Sequence, residues 1–304
     1  SFTLQTDFSI IGVWASSVDW GDYDNDNDLD ILLTGSGYSK VYTNNGDNTF
    51  TEQTDIVLIP VQNSSSAWGD YNNDGYPDIL ITGNSSGGNV SKVYRNNGNN
   101  TFTEQTGILL QGVSAGSACW GDYDNDHDLD ILLTGSTTGD VSGAIARVYR
   151  NNGDNTFTEQ TDISLYGVYE NSAAWIDYDN DGDPDITISG NSSLGIISRI
   201  YRNNGDYTFS YQASISLPGL WQGAITWGDF DNDGDPDLIL AGTVHGGSYG
   251  SMITFFSNNN DNTFTEMPEI ILPGIYNGTV EAADYNMDGN LDLAMQVASR
   301  TDVS

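Results

Sequence analysis

The sequence predicts an all-β fold, a six-bladed β-propeller of four-stranded antiparallel blades. Three observations support this prediction: an acidic segment recurs six times, the same order of short runs follows each copy, and Asn-Gly turns separate those runs at fixed places. The chain of 304 residues contains 35 glycines and 37% hydrophobic residues, which suits short strands joined by polar turns. No run approaches the ~20 apolar residues of a membrane span.

The acidic segments define the repeat, and five of the six follow a tryptophan. They begin at residues 22, 70, 122, 177, 229 and 284, which are 48 to 55 residues apart. This period, with four short runs per copy, is typical of propeller blades. We therefore expect one domain, residues 1–304. Its predicted blades are approximately 14–58, 62–110, 114–165, 169–217, 221–272 and 276–304 plus 1–10.

Each copy indicates four strands, as the first copy illustrates. Strand A ends in Trp-Gly-Asp, and strand B is the apolar run 30–34 that follows the acidic loop. Strand C begins with Lys-Val-Tyr at 40–43, and strand D is Thr-Phe-Thr-Glu-Gln-Thr at 49–54. Asn-Asn-Gly between strands C and D predicts a hairpin, because Asn and Gly tolerate positive φ.

The two ends of the chain predict how the ring closes. Residues 1–7 match the strand D segment 49–55, whereas the last copy stops after Ser299 and Arg300 without a strand D of its own. We expect the N-terminal strand to complete the last blade. No sequence remains for a seventh blade.

The acidic loops predict metal sites. Alternate residues of a tightly curled loop can turn their oxygens to one centre, and calcium takes six to eight oxygen ligands. Loops 1 to 6 are residues 22–30, 70–78, 122–130, 177–185, 229–237 and 284–292. Their positions 1, 3, 5 and 9 offer side-chain oxygens, position 6 is a bend, and position 7 offers its backbone carbonyl. The predicted ligands at positions 1, 3, 5, 7 and 9 are Asp22, Asp24, Asp26, Asp28 and Asp30; Asp70, Asn72, Asp74, Tyr76 and Asp78; Asp122, Asp124, Asp126, Asp128 and Asp130; Asp177, Asp179, Asp181, Asp183 and Asp185; Asp229, Asp231, Asp233, Asp235 and Asp237; and Asp284, Asn286, Asp288, Asn290 and Asp292.

Carboxylates packed this closely repel one another unless a cation lies among them. An Asp-rich turn without metal is the alternative, but six loops of one spacing favour about six Ca²⁺ ions, one per blade. Ligands that are all oxygen favour calcium over zinc or copper, and magnesium prefers to keep its waters.

The pattern Asp-x-Asp-x-Asp-Gly-x-x-Asp, repeated between strands, resembles the FG-GAP/VCBS repeat family. That family includes the integrin α-subunit propeller and several microbial surface proteins and lectins. The resemblance covers nearly the whole chain and implies calcium at the six sets of ligands. The sequence departs from the family pattern in two ways. It supplies six blades, whereas the best-known members have seven, and the Phe-Gly and Gly-Ala-Pro signatures are degenerate here.

The charge balance limits the possible partners. With 43 Asp plus Glu against 8 Lys plus Arg, the formal charge is −35, which repels nucleic acid and anionic membranes. We expect no nucleic acid partner and no direct membrane insertion; halophilic solubility is an alternative reason for the acidity. The eight basic residues all fall in or at the start of strand C, where we expect them to face carboxylates of a neighbouring strand.

A candidate recognition surface lies where strand D crosses to the next blade, on the face opposite the calcium loops. The aligned position is aromatic in four of six copies, and aromatic faces suit sugar rings or a protein partner. The alternative is that these residues cap the core. The four candidates are Trp14, Tyr169, Trp221 and Tyr276.

These features predict an extracellular, calcium-binding adhesion or recognition module for a glycan or a protein. A structural subunit of a surface layer or filament, self-associating by strand exchange, is the alternative. An enzyme, such as one acting on polysaccharide, is not expected. The chain has only His127 and His245, and no nucleophile–base pair is evident.

Overall fold

Short antiparallel strands build the protein, and in each sheet they follow one another in sequence order. The structure is a computed structural model that describes residues 8–244, 250–268, 270–272, 274–275 and 278–296. It divides into two units, one with residues 8–122 and 126–161 and one with residues 123–125 and 162–296. Within these ranges no helix has the length and apolar character needed to span a bilayer.

The first unit contains three four-stranded sheets. The first sheet comprises β1 (Ser17–Gly21), β2 (Asp30–Gly35), β3 (Tyr38–Asn44) and β4 (Phe50–Glu52). The second comprises β5 (Gln62–Gly69), β6 (Asp78–Ser85), β7 (Gly88–Asn96) and β8 (Phe102–Glu104). The third comprises β9 (Ala118–Gly121), β10 (Asp130–Ser136), β11 (Ala144–Asn151) and β12 (Phe157–Glu159), with a 3-10 turn, Val141–Gly143, before β11.

The second unit contains two four-stranded sheets and a pair of strands. The fourth sheet comprises β13 (Tyr169–Ile176), β14 (Asp185–Ser192), β15 (Gly195–Asn203) and β16 (Phe209–Tyr211). The fifth comprises β17 (Trp221–Gly228), β18 (Asp237–Val244), β19 (Gly250–Asn258) and β20 (Phe264–Glu266). The last pair is β21 (Thr279–Ala283) and β22 (Asp292–Gln296).

The predicted all-β class and the order of four strands per copy are confirmed in the five complete sheets. Strand D is shorter than predicted, three residues instead of six, because only Phe50–Glu52 and its equivalents pair with strand C. The predicted ring-closing segment, residues 1–7, lies outside the described residues, as do Ser299 and Arg300 of the last copy.

Strand B of each complete sheet is the centre of the core. Its apolar run is continuous because both of its faces are covered, as in strands buried on two sides. In the first unit, Leu32 and Val41 of the first sheet pack with Ile79 and Ile81 of the second, and all four are fully buried. Successive sheets therefore share their apolar faces.

Two of the repeated tryptophans, Trp68 and Trp120, pack between sheets of the first unit. The ring of Trp68 stacks on Tyr23 of the preceding sheet, with centroids 5.9 Å apart and planes 9° apart. Trp120 stacks on Tyr71 in the same way, at 6.0 Å and 8°. The tyrosine at loop position 2 and the tryptophan before the next loop thus form one unit of packing.

Four basic residues pair across strands C and D. Lys40 contacts Glu52 at 2.6 Å, and the same pair recurs as Lys92–Glu104 and Arg147–Glu159. In the fourth sheet a tyrosine replaces the glutamate, and the Arg199 guanidinium lies 4.2 Å from the ring centroids of both Tyr166 and Tyr211. The expectation of carboxylate partners on a neighbouring strand is confirmed for the first three of these pairs.

In the second to fifth sheets a buried asparagine at the end of strand C bonds the acidic loop that precedes its own. Asn96 donates from Nδ2 to the Tyr23 carbonyl of the preceding loop (2.8 Å) and to the Pro77 carbonyl (3.1 Å), and its Oδ1 accepts the Gly98 N–H (3.0 Å). Equivalent bonds are made by Asn151, Asn203 and Asn258. Each of these asparagines is at most 2% exposed.

Replacing Asn96 by alanine should lower the free energy of unfolding by about 2–4 kcal/mol, because two buried carbonyls lose their donor. Asn97→Ala is the matched control, since its amide bonds exposed side chains, those of two threonines in the same hairpin and of Arg95; we expect it to cost at most about 1 kcal/mol. Urea unfolding of both variants measures the difference. Equal losses would show that the Asn96 bonds do not hold the sheets together.

Candidate metal-binding loops and recognition face

Loops 1 to 6 share one backbone conformation. Position 4 has φ between 55° and 61° in all six loops, and position 6 has φ between 72° and 95°. The bend predicted at position 6 is therefore confirmed, and it holds even where the residue is Asn27 or His127 instead of glycine. Two left-handed residues so close together curl the loop and turn its backbone N–H groups inward.

The position 1 carboxylate organises this curl. In loop 1, Asp22 accepts the N–H of Asp26 at Oδ1 (3.0 Å) and the N–H of Asn27 at Oδ2 (2.9 Å). The same two bonds recur in the other five loops. An aspartate that bonds nearby backbone N–H groups is a strong turn former.

The position 9 aspartate is buried where strand B begins. Asp30 accepts the Tyr23 N–H at Oδ2 (3.1 Å) and the Asn44 N–H at Oδ1 (2.8 Å), so one carboxylate joins the loop to strand C. Each oxygen keeps a second lone pair that can bind a cation. Burial raises the pKa of Asp30 to about 6, of Asp78 to about 7 and of Asp185 to about 8. Burial thus disfavours the ionised form of these groups relative to water, and a bound cation would favour it.

Positions 1, 3 and 9 come together at one centre. In loop 1, one oxygen each of Asp22, Asp24 and Asp30 lies within 4.8 Å of the others. The same grouping occurs in loop 4 and loop 5. In loops 2 and 6, Asn72 and Asn286 place an amide oxygen at position 3 instead. The boundary between the two units runs through loop 3 at residues 123–125.

This donor set is suitable for calcium. It contains only oxygen ligands, and three carboxylates converge on one centre. Within the described part of the chain, Asp24 Oδ1 and Asp179 Oδ1 are buried and accept no hydrogen bond. A buried carboxylate oxygen without a donor is costly, and a cation at the centre of the loop would remove that cost.

Position 5 does not join the group of three. Asp26 Oδ1 instead accepts the Asp28 N–H (2.9 Å), and Asp126 and Asp181 contact arginines of strand C at 3.0 and 2.7 Å. The sequence predicted four converging side chains per loop. Within a single unit, the structure brings three together in loops 1, 4 and 5.

Successive loops are linked by an asparagine at position 4, which the sequence analysis did not single out. Asn73 Nδ2 donates to Asp128 Oδ1 (2.8 Å) and Asn180 Nδ2 to Asp235 Oδ1 (2.7 Å). The side chain at position 7 therefore accepts a hydrogen bond from the preceding loop. Asn25, Asn125 and Asn232 make related bonds. Asparagine at position 4 in five of six loops was the available signal; the sixth loop has Met287, which is 91% exposed.

The four aromatic candidates for recognition differ in exposure. Trp14 is 65% exposed, and its backbone is bonded to Ser36 in the β2–β3 turn. Tyr169 and Trp221 are half-buried at the start of β13 and β17. Tyr276 lies outside the described residues. Trp14 therefore presents the largest accessible aromatic face of the three that the structure describes.

A β-bulge follows this aromatic position and was not predicted. The next residue has φ of 48° to 50° in five copies: Ala15, Asn63, Ala115, Glu170 and Gln222. In the second, fourth and fifth sheets the register with strand B shifts at this point. Bulges re-aim side chains at sheet ends, and non-glycine residues with positive φ are concentrated at functional positions.

A shallow cavity of about 350 Å³ lies in the first unit, at the end of the sheets opposite the loops. Amide groups line it: Gln62 Nε2 lies 3.5 Å from Asn84 Oδ1, and Asn84 Nδ2 donates to Asn89 at 2.8 Å. Apolar and small residues complete the lining, among them Gly37, Ile59, Pro60 and Ser85. Amides beside an apolar wall suit a hydroxylated ligand.

The sequence matches the profile of the FG-GAP-like repeat five times, over residues 22–81, 70–133, 136–188, 177–240 and 241–295. No curated protein sequence gives a significant match. Among solved structures, the chain is similar to a lectin of Agrocybe aegerita described as recognising non-reducing terminal N-acetylglucosamine. The TM-score is 0.65 at 20% identity, over 92% of this chain and 74% of the lectin. An exo-β-1,3-galactanase of Phanerochaete chrysosporium gives a TM-score of 0.40 at 11% identity, over 67% and 48% of the two chains.

Proposed function

The chain belongs to the FG-GAP-like repeat family, and we propose that it is an extracellular recognition module stabilised by calcium. The convergence of three carboxylates in a loop that recurs along the chain carries this proposal. Positions 1, 3 and 9 would supply the side-chain oxygens that already converge, and on binding position 5 would add a side-chain oxygen and position 7 a carbonyl. Six Ca²⁺ ions would add +12 to the formal charge of −35 and leave −23.

Calcium should raise the stability of the protein in proportion to the occupied loops, because it binds the folded state alone. Each site contributes about 2.7 kcal/mol at a calcium concentration 100-fold above its Kd. Thermal unfolding in calcium and in chelator measures the gain. Asp24→Ala should reduce the calcium-dependent gain by one site. Asp47→Ala, in the β3–β4 hairpin, should leave it unchanged.

The pH dependence provides an independent control. In chelator, the raised pKa values of Asp30, Asp78 and Asp185 mean that the folded state holds protons that the unfolded state, with pKa near ~4, has lost. Stability in chelator should therefore fall as pH rises from 5 to 8. The stability gained from calcium should rise over the same interval, because the ion binds the ionised carboxylates, so stability in saturating calcium should change little with pH. The same pH dependence with and without calcium would contradict the proposal.

A glycan is the partner that the recognition face supports best, and a protein is the alternative. Trp14 offers an exposed aromatic face, and the cavity beside the β2–β3 turn is lined by amides. The similar lectin recognises terminal N-acetylglucosamine, which makes this sugar the first to test. We propose binding without catalysis, since the side chain of His127 is 95% exposed in loop 3 and the carboxylates of the loops would be taken up by the metal.

Trp14→Ala should weaken glycan binding about tenfold or more, because stacking on an aromatic face contributes on the order of 1 kcal/mol or more. Glycan-array screening followed by calorimetry in calcium measures the affinity. Tyr207→Ala is the matched control, since Tyr207 is 57% exposed but lies in the β15–β16 turn, on the face of the loops. Unchanged binding by Trp14→Ala, or equal loss in both variants, would exclude this face.

We also propose that six blades close into a ring, with residues 1–7 completing the last one. In the first sheet, Val18, Trp20 and Leu29 are 53–57% exposed, whereas the equivalent Trp68 and Trp120 stack on a tyrosine of the preceding sheet. Tyr285 occupies the same loop position as the tyrosines on which Trp68 and Trp120 stack, so in a closed ring Trp20 would stack on Tyr285. β21 and β22 also need outer strands to form a four-stranded blade.

Removing residues 1–7 distinguishes closure within one chain from strand exchange between chains in a surface assembly. Closure predicts a monomer by light scattering before and after truncation, with a lower melting temperature after it, because the last blade loses its outer strand. Polymers of the full chain that revert to monomers on truncation would favour the structural-subunit alternative and contradict closure within one chain.

A further inference from the structure

One position of strand C lies beside the acidic loop in the five complete sheets and differs between the copies. It directly precedes the asparagine whose N–H bonds the position 9 aspartate, for example Asn44 to Asp30 and Asn203 to Asp185. These bonds fix the end of strand C beside the loop in every complete sheet. The residues at this position are Thr43, Arg95, Arg150, Arg202 and Ser257.

In loop 4 this residue is an arginine that brings a positive charge to the loop carboxylates. Arg202 Nε lies 2.6 Å from Asp179 Oδ2, and its Nη2 lies 2.7 Å from Asp181 Oδ2. The guanidinium therefore engages the carboxylates at positions 3 and 5. In loop 3, Arg150 Nη2 contacts the position 5 carboxylate of Asp126 at 3.0 Å.

Loops 1 and 5 have a neutral hydroxyl at the same place. Ser257 Oγ donates to Asp231 Oδ2 at 3.1 Å, and Thr43 Oγ1 lies 2.8 Å from the Tyr23 hydroxyl. Among the residues that the structure describes, no Lys or Arg forms an ion pair with a carboxylate of these two loops. Within that part of the chain, the charge of these two loops has no internal counter-ion.

Loop 2 has an arginine at this strand C position but one carboxylate fewer in the loop. Position 3 is Asn72 instead of aspartate, and Arg95 Nη2 approaches Asn97 in the hairpin at 3.4 Å. An arginine at this position therefore engages the loop where aspartate occupies position 3, as loop 4 shows.

We infer that the residue before the strand C asparagine sets the calcium affinity of its loop: loops 1 and 5 are tight sites, and loops 3 and 4 are weak sites in which arginine neutralises the carboxylates when calcium is low. This inference rests on the proposed calcium function. A guanidinium within several ångströms of Ca²⁺ repels it and competes for the same oxygens, so it lowers affinity by about tenfold or more. The arginine loops thereby keep their shape at calcium concentrations that leave them unloaded, and the hydroxyl loops depend on the ion.

Reciprocal exchange of Arg202 and Ser257 in the full chain tests the inference. Calcium titration by calorimetry should show that Arg202→Ser moves one site per chain from the weak class to the tight class, and that Ser257→Arg moves one site the other way. Thermal unfolding in chelator should show that the variant that gains a tight site is less stable than wild type, and that the variant that loses one is more stable. Arg202→Ser melts lower than wild type because Asp179 and Asp181 lose their counter-ion, and Ser257→Arg melts higher because Asp231 gains one.

Arg202→Lys is the charge-retaining control and should keep the wild-type number of tight sites. An arginine with only a packing role would lower the melting temperature equally with and without calcium and leave the site classes unchanged; that result overturns the inference. Calcium uptake that neither exchange alters also overturns it while leaving the proposed function intact. No calcium uptake by the wild-type chain overturns the proposed function itself.

Discussion

The buried aspartate at the start of strand B is the group on which the rest of the structure depends. One carboxylate, such as that of Asp30, binds the backbone of the loop at Tyr23 and the backbone of strand C at Asn44. The asparagine at the end of strand C then reaches the loop of the preceding sheet, as Asn96 reaches Tyr23. Folding of a sheet, closure of its acidic loop and docking on its neighbour are therefore coupled through buried polar groups, which are costly when left unpaired.

This coupling explains why the loops can be both acidic and structural. A carboxylate buried for its hydrogen bonds is also brought close to Asp22 and Asp24, and their mutual repulsion has to be offset by a proton, an arginine or a metal ion. Arg202 offsets it in loop 4. Loop 1 has no such side chain, so the balance there depends on solution conditions. The same fold thus contains sites whose need for a cation differs.

Most of the strand pattern follows from the repeat, because each apolar run, acidic loop and Asn-Gly turn recurs in register. The bend at position 6 was predictable from glycine and asparagine, and His127 adopts it because the loop bonds around it are the same. Other features depend on distance in space. The asparagines at position 4, the bulges after Gln62, Tyr169 and Trp221, and the contact of Arg202 with Asp179 join residues from different segments. The recurrence of asparagine at position 4 indicates a role but not its partner, and spacing in sequence carries no signal of proximity in space, so sequence reasoning missed these contacts.

Diffraction from crystals grown in calcium, with anomalous differences recorded near the calcium edge, tests the central claim most directly. The account predicts an anomalous peak in each loop, surrounded by carboxylate, amide and carbonyl oxygens at ~2.3–2.6 Å. The hydroxyl loops, 1 and 5, should be fully occupied at the lowest calcium concentration. Loops that contain only water, or lysine and arginine partners, at saturating calcium would contradict it.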